Sequence, residues 1–222
     1  MNRYLLILLT WLPVFILHGG VEKNGSIWYI DENSFTVQFN EKDFSVDIQK
    51  AGGNKWQMDR NKIHEEIQVN GGWSSLSSAK SKSFSEYQNG NHIGVNAHLV
   101  GFPNATEVEM NIYVYVDVNR DECVIEIDPT YDPNRKLGEC QYPRGFEIEN
   151  SWGNTLVNPA GNGGYGSLDK LNNGKNFSDI ETYAHGKLYM AWWGYLKDYN
   201  MGVQNGEGFI AMVGTPYDFS LN

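Results

Sequence analysis

The residues best placed to do chemistry are acids on strand-like segments. Glu126 and Asp128 stand two apart in residues 122–128, where Cys123, Ile125 and Ile127 alternate with polar positions. Successive side chains of a strand point to opposite faces, so both carboxylates share one face. Retaining glycosidases use such a pair, about 5 Å apart, as nucleophile and acid. An array of three acids would need one at position 130, but Pro129 ends the alternation and Thr130 stands there. Glu126 and Asp128 therefore read as acids on a solvated face, and Glu147 and Glu149, on one face of residues 146–150, read the same way. His64, His92, His98 and His185 lack the close spacing of a metal motif, and none sits beside a nucleophilic Ser or Cys. His92 and His98, six apart, share a strand face only if no turn intervenes. Cys123 and Cys140 have no histidine pair nearby and make no zinc site. No residue is assigned to catalysis or to a metal, and no cofactor is implied.

Aromatic residues offer a second kind of chemistry, the stacking of a sugar ring on a flat apolar surface. Trp192 and Trp193 are adjacent in a strand-like stretch, so they point to opposite faces, one to the core and one accessible. Tyr113 and Tyr115 share a face opposite their valine neighbours. These four are the carbohydrate-binding candidates. Large sandwiches also bury aromatics between layers, and packing is the preferred reading for the tyrosine face. Asn24-Gly25-Ser26, Asn104-Ala105-Thr106 and Asn176-Phe177-Ser178 match the N-glycosylation acceptor pattern, which is short and frequent in Asn-rich chains.

The elements that must position these residues are strands. Phe35, Val37 and Phe39, then Phe44, Val46 and Ile48, alternate on either side of Asn40-Glu41-Lys42-Asp43 and read as a hairpin. Residues 107–118 place Val108, Met110, Ile112, Val114, Val116 and Val118 on one face, the pattern of a half-buried antiparallel strand. Two strands are expected in 83–100 around Gln88-Asn89-Gly90-Asn91. Residues 129–143 and 158–174 read as loops, and 182–196 and 208–213 as strands. With no repeat, linker or boundary, residues 21–222 form one expected domain, an all-β, large antiparallel β-sandwich.

Composition bounds the partners. Of 222 residues 41% are hydrophobic, too many for a disordered tail. Lysine and arginine number 17 against 27 acids, a net charge of −10, which argues against nucleic acid and anionic membranes. Met1-Asn2-Arg3 followed by a nearly all-apolar run over 4–17 reads as a signal peptide spanning 1–20. The run is short of the roughly 20 apolar residues a span needs, so no stable membrane span is expected in the mature chain. The expected location is secreted, periplasmic or at the cell surface. In an oxidising compartment Cys123 and Cys140 invite a disulfide, with two free thiols as the alternative.

Two stretches carry a family likeness. The first is Gln141-Tyr142-Pro143-Arg144-Gly145-Phe146, continued by Asn154-Thr155-Leu156-Val157-Asn158-Pro159 and Gly163-Gly164-Tyr165-Gly166. The second is Met190-Ala191-Trp192-Trp193-Gly194-Tyr195, then Gly206-Glu207-Gly208-Phe209-Ile210-Ala211-Met212-Val213 and Thr215-Pro216-Tyr217-Asp218. Together they resemble the N-terminal galactose-mutarotase-like β-supersandwich of large secreted glycoside hydrolases, the endo-α-N-acetylgalactosaminidase-like enzymes among them. Ala191 stands where that family often has Pro, and Gly214 where it often has an acid. The resemblance implies a carbohydrate partner and catalytic acids in a (β/α)8 barrel that follows the sandwich. A barrel needs about 200 residues or more, so it implies a chain cut short of its catalytic part, and no catalytic residue is carried over.

Three functions compete. The first is a non-catalytic sandwich domain of an exported carbohydrate-active enzyme, packed on its catalytic barrel. The second is a stand-alone carbohydrate-binding or surface protein using Trp192, Trp193, Tyr113 and Tyr115. The third, ranked last, is a small sandwich glycosidase using Glu126 and Asp128, or an epimerase using His and Glu.

Overall fold

Among the described residues, apolar–polar alternation becomes antiparallel strand pairing. The computed structural model describes residues 20–32, 34–53, 55–61 and 63–147, together with the backbone of four later strands. The chain divides into two compact units, Met1–Phe146 and Glu147–Asn222.

In the first unit the strands are β1 (Val21–Asn24), β2 (Ile27–Asp31), β3 (Phe35–Asn40), β4 (Val46–Lys50), β5 (Lys55–Met58), β6 (Ile67–Val69), β7 (Gly72–Ser74), β8 (Ser81–Asn89), β9 (His92–Phe102), β10 (Ala105–Asp117), β11 (Glu122–Tyr131), β12 (Leu137–Cys140) and β13 (Phe146–Glu147). Short 3₁₀ turns at Ile63–Glu65 and Leu76–Ser78 interrupt them. They build a six-stranded sheet in the order β1-β2-β3-β4-β5-β13, a four-stranded sheet β11-β10-β9-β8 and a three-stranded sheet β12-β6-β7. The second unit contains β14 (Asn154–Asn158), β15 (Gly164–Ser167), β16 (Ala191–Lys197) and β17 (Gly208–Val213), paired in the order β15-β14-β16-β17.

The core of the first unit lies between sheets. Trp28, Ile30, Val37, Phe39 and Val46 come from the six-stranded sheet, and Val95, Leu99, Ile112, Val114 and Val116 from the four-stranded one. Phe84 of β8 meets Phe39 at 6.1 Å and Phe44 at 5.8 Å, ring centroid to centroid, which joins the two layers. This is the sandwich that the alternation predicts, with its inner faces apolar.

Four local expectations are corrected. Phe44 is not part of a strand: it sits at φ +56°, fully buried, in the turn between β3 and β4. Its N–H donates to Asn40 O at 2.8 Å, and Asp43 Oδ1 accepts the next N–H, of Ser45, at 3.0 Å. Left-handed backbone is costly for a bulky residue, and burial of the ring offsets that cost. Pro129 does not end its strand, because β11 is the edge of its sheet and an edge tolerates a missing N–H. Pro129 pairs with Met110 beside a register shift, and β11 continues to Tyr131. Residues 137–140, expected as loop, form β12 and pair with β6. Residues 164–167, likewise expected as loop, form β15 against β14.

The expected leader at 1–20 lies outside the described residues except for Gly20. Among the described residues no helix is long and apolar enough to cross a membrane.

Candidate functional site

The β9–β10 hairpin is the element that arranges the candidate residues. Val108, Met110, Ile112, Val114 and Val116 of β10 are buried in the core, so Asn111, Tyr113, Tyr115 and Asp117 occupy the outer face. Directly opposed residues of antiparallel strands lie on the same face, so register extends that face across the sheet. One cross-strand row runs Tyr87, Gly94, Tyr115, Val124 from β8 to β11, and the next runs Ser85, Asn96, Tyr113, Glu126. Asp128 opposes Asn111 one row further on. His92 and His98 both belong to β9 with no turn between them, and both occupy this face.

Ring contacts knit the face together. Tyr87 lies 4.8 Å from Tyr113 and 5.5 Å from Tyr115, centroid to centroid, at interplanar angles near 50°. His92 stacks on Tyr115 at 4.6 Å and 30°. Tyr115 is buried, whereas Tyr87 and Tyr113 are half-buried. Gly94 makes this packing possible: a Cβ there would fall 2.2 Å from Val114 O and 2.5 Å from Tyr115 Cα.

Carboxylates border the rings. Glu126 is exposed, and its Oε2 accepts from the Tyr115 hydroxyl at 3.4 Å. Burial, then the Asp128 charge, pushes the Tyr113 phenol up. Burial, then Glu126, does the same for Tyr115. Both phenols thus stay protonated and able to donate. His92 Nε2 stands 3.5 Å from Asp117 Oδ2, and His98 Nδ1 stands 3.1 Å from Asn111 Oδ1. Among the described residues no group of three or more His, Cys, Asp or Glu side chains could hold a metal ion.

Register brings Tyr113, Tyr115, Glu126 and Asp128 onto one face. It adds Tyr87 and His92, which sequence reasoning passed over as a partner ring and an ordinary histidine. The signal was present: pairing 83–89 with 92–98 around Gly90-Asn91 sets Tyr87 opposite Gly94. His64 lies in the first 3₁₀ turn, away from these strands in sequence, and Glu147 ends β13, exposed. Trp192 and Trp193 fall on β16, paired with Met212 and Ala211 of β17. Their side chains, and His185 and Glu149 altogether, lie outside the described residues.

Of the two alternatives for Cys123 and Cys140, a disulfide or two unpaired thiols, the structure has free thiols. Cys123 belongs to β11 and packs against the core, while Cys140 belongs to β12 in a different sheet and is exposed. Burial pushes the Cys123 thiol up to about 12, which suppresses the thiolate that exchange chemistry requires.

The resemblance stretch at 141–146 has a structural role. The Tyr142 hydroxyl donates to Phe44 O at 2.7 Å. Arg144 Nη1 pairs with Glu66 Oε1 at 2.9 Å, with both side chains almost wholly buried. Arg144 Nη2 donates to Asp43 O at 3.0 Å, and Glu66 Oε2 accepts the Leu76 N–H at 2.9 Å.

No family model matches the chain, and no curated protein does. Solved structures do. Against the quadruple mutant of the α-N-acetylgalactosaminidase NagBb from Bifidobacterium bifidum, the TM-score is 0.63 at 17% identity, over 85% of this chain and 29% of that one. Against the GalNAc complex of the same enzyme the TM-score is 0.61 at 13% identity, over 77% and 27%. The ligand-free form gives 0.54 at 16% identity, over 77% and 27%. The chain thus spans less than a third of the length of the enzyme whose fold it shares.

Proposed function

We propose that this chain is the front β-sandwich domain of an exported glycoside hydrolase, non-catalytic in itself, packed on a catalytic barrel carried by the rest of the polypeptide. The observation that carries the reading is the coverage. A sugar-cleaving enzyme is matched over 76–85% of this chain but only 27–29% of its own length, as one domain of a larger enzyme would be. The apolar run after Arg3 and the 141–146 and 190–218 stretches agree with it. Sequencing the gene locus past codon 222 tests it. The expected outcome is an open frame that continues into alternating strands and helices with barrel acids. A true stop, with the transcript ending there, removes the enzyme reading.

A second reading, a stand-alone carbohydrate-binding or surface protein, is favoured by one observation. The tyrosine face lies wholly within the first unit and draws on no residue beyond 128.

A further inference from the structure

The outer face of β8–β11 holds more than a front domain needs in order to fold. A strand face turned away from the core is ordinarily polar, yet three tyrosines and a histidine are linked here in a chain of ring contacts of 4.6–5.5 Å. They differ in access. Tyr115 is buried, with Tyr87 and His92 as ring neighbours and bare Gly94 opposite it. Tyr87 and Tyr113 keep part of their surface open. Tyr115 is thus the support, and Tyr87 and Tyr113 are the presented rings.

Charge narrows the occupant. The two cross-strand rows that hold the tyrosines contain no lysine or arginine, and Glu126 and Asp128 stand exposed at their border. Arg120, in the β10–β11 turn, is paired with Asp117 at 3.6 Å. An anionic ligand would meet uncompensated carboxylates. A neutral, hydroxyl-rich ring meets acceptors for its O–H groups and an aromatic surface for its C–H face. The same carboxylates and ring faces would also attract a cation, so the test carries a cationic control.

We propose that this face is a binding subsite for a neutral glycan, in which Tyr113 and Tyr87 stack against a pyranose ring and Glu126 and Asp128 accept its hydroxyls. Tyr115 and His92 are positioning residues. The assignment rests on the carbohydrate relation proposed above and not on the presence of a barrel.

Affinity electrophoresis of the full chain at neutral pH tests it. The gels carry a galactomannan, a mixed-linkage β-glucan, a xylan or desialylated mucin, with alginate as the anionic and diethylaminoethyl-dextran as the cationic control. Retardation by at least one neutral polymer is expected, with none by alginate. Tyr113→Ala should weaken it at least tenfold, Glu126→Gln about two- to fivefold, and the Trp192→Ala, Trp193→Ala double variant should leave it intact. Circular dichroism confirms that each variant is folded. If Tyr113→Ala fails to fold, Glu126→Gln, a change at an exposed side chain, decides in its place. Absence of retardation by every neutral polymer overturns the subsite, as does retardation by diethylaminoethyl-dextran alone or binding indifferent to these substitutions. Binding combined with a true stop at codon 222 leaves the subsite standing and removes the parent enzyme, and no binding combined with a continuing frame does the reverse.

Discussion

At the scale of single residues, the buried Glu66–Arg144 pair sets a pH dependence. Burial is the larger influence on Glu66 and outweighs both the Leu76 N–H and the Arg144 guanidinium, which raises its carboxyl from 4.5 to about 7. A group that binds its proton more tightly when folded contributes stability that is complete below its unfolded value, near 4.5. That contribution is lost as pH rises through about 7. Urea unfolding followed from pH 4 to 8 should therefore show the wild-type chain losing up to about 3 kcal/mol relative to Glu66→Gln across that window. A difference that stays flat with pH would contradict this. Nothing local in the sequence announces the pair. Glu66 follows Glu65 and resembles any surface acid, and only the pairing of β12 with β6 brings residues 141–144 against it.

At the scale of elements, the β9–β10 hairpin does most to make the candidate site, and it was largely legible. Alternation over 107–118 predicted a strand found at Ala105–Asp117, with Val108, Met110, Ile112, Val114 and Val116 inward as expected and Val118 instead in the turn that follows. The expected Gly-Asn turn became the tight connection between β8 and β9, with Gly90 at φ +61°. What could not be read locally was the consequence of pairing: that Gly94 opposes Tyr115, and that the bare backbone there is what lets the ring lie down. Gly94→Ala would place a methyl against main chain that has no room to yield. It should cost about 1–3 kcal/mol in chemical denaturation and disturb the near-ultraviolet dichroism of the tyrosines. Unchanged stability would show that Tyr115 is held some other way. The strand boundary at Pro129 was misread because a proline says where a donor is missing, not whether the strand carrying it has a neighbour on that side.

At the scale of the whole molecule, the first unit holds its own hydrophobic core, built between its own sheets. Residues 20–147 expressed alone should therefore give a single cooperative thermal transition with dispersed amide resonances, and a non-cooperative melt would show that the unit needs more chain. The sandwich class was legible because period-two patterning survives from end to end. The division into two units was not, because no change of composition marks residues 146–147. Tyr142 reaches back 98 positions to Phe44, and Arg144 reaches back 101 to Asp43. Closing a loop of that length is an entropic toll that near-neighbour hairpins do not meet. A ribosome making this protein would thus hold it unfinished until the last of those residues clears the exit tunnel. Until then the backbone at Phe44 lacks its clasp and has nothing to hold it in its native left-handed turn, and the nascent chain depends on whatever else shields its open sheets.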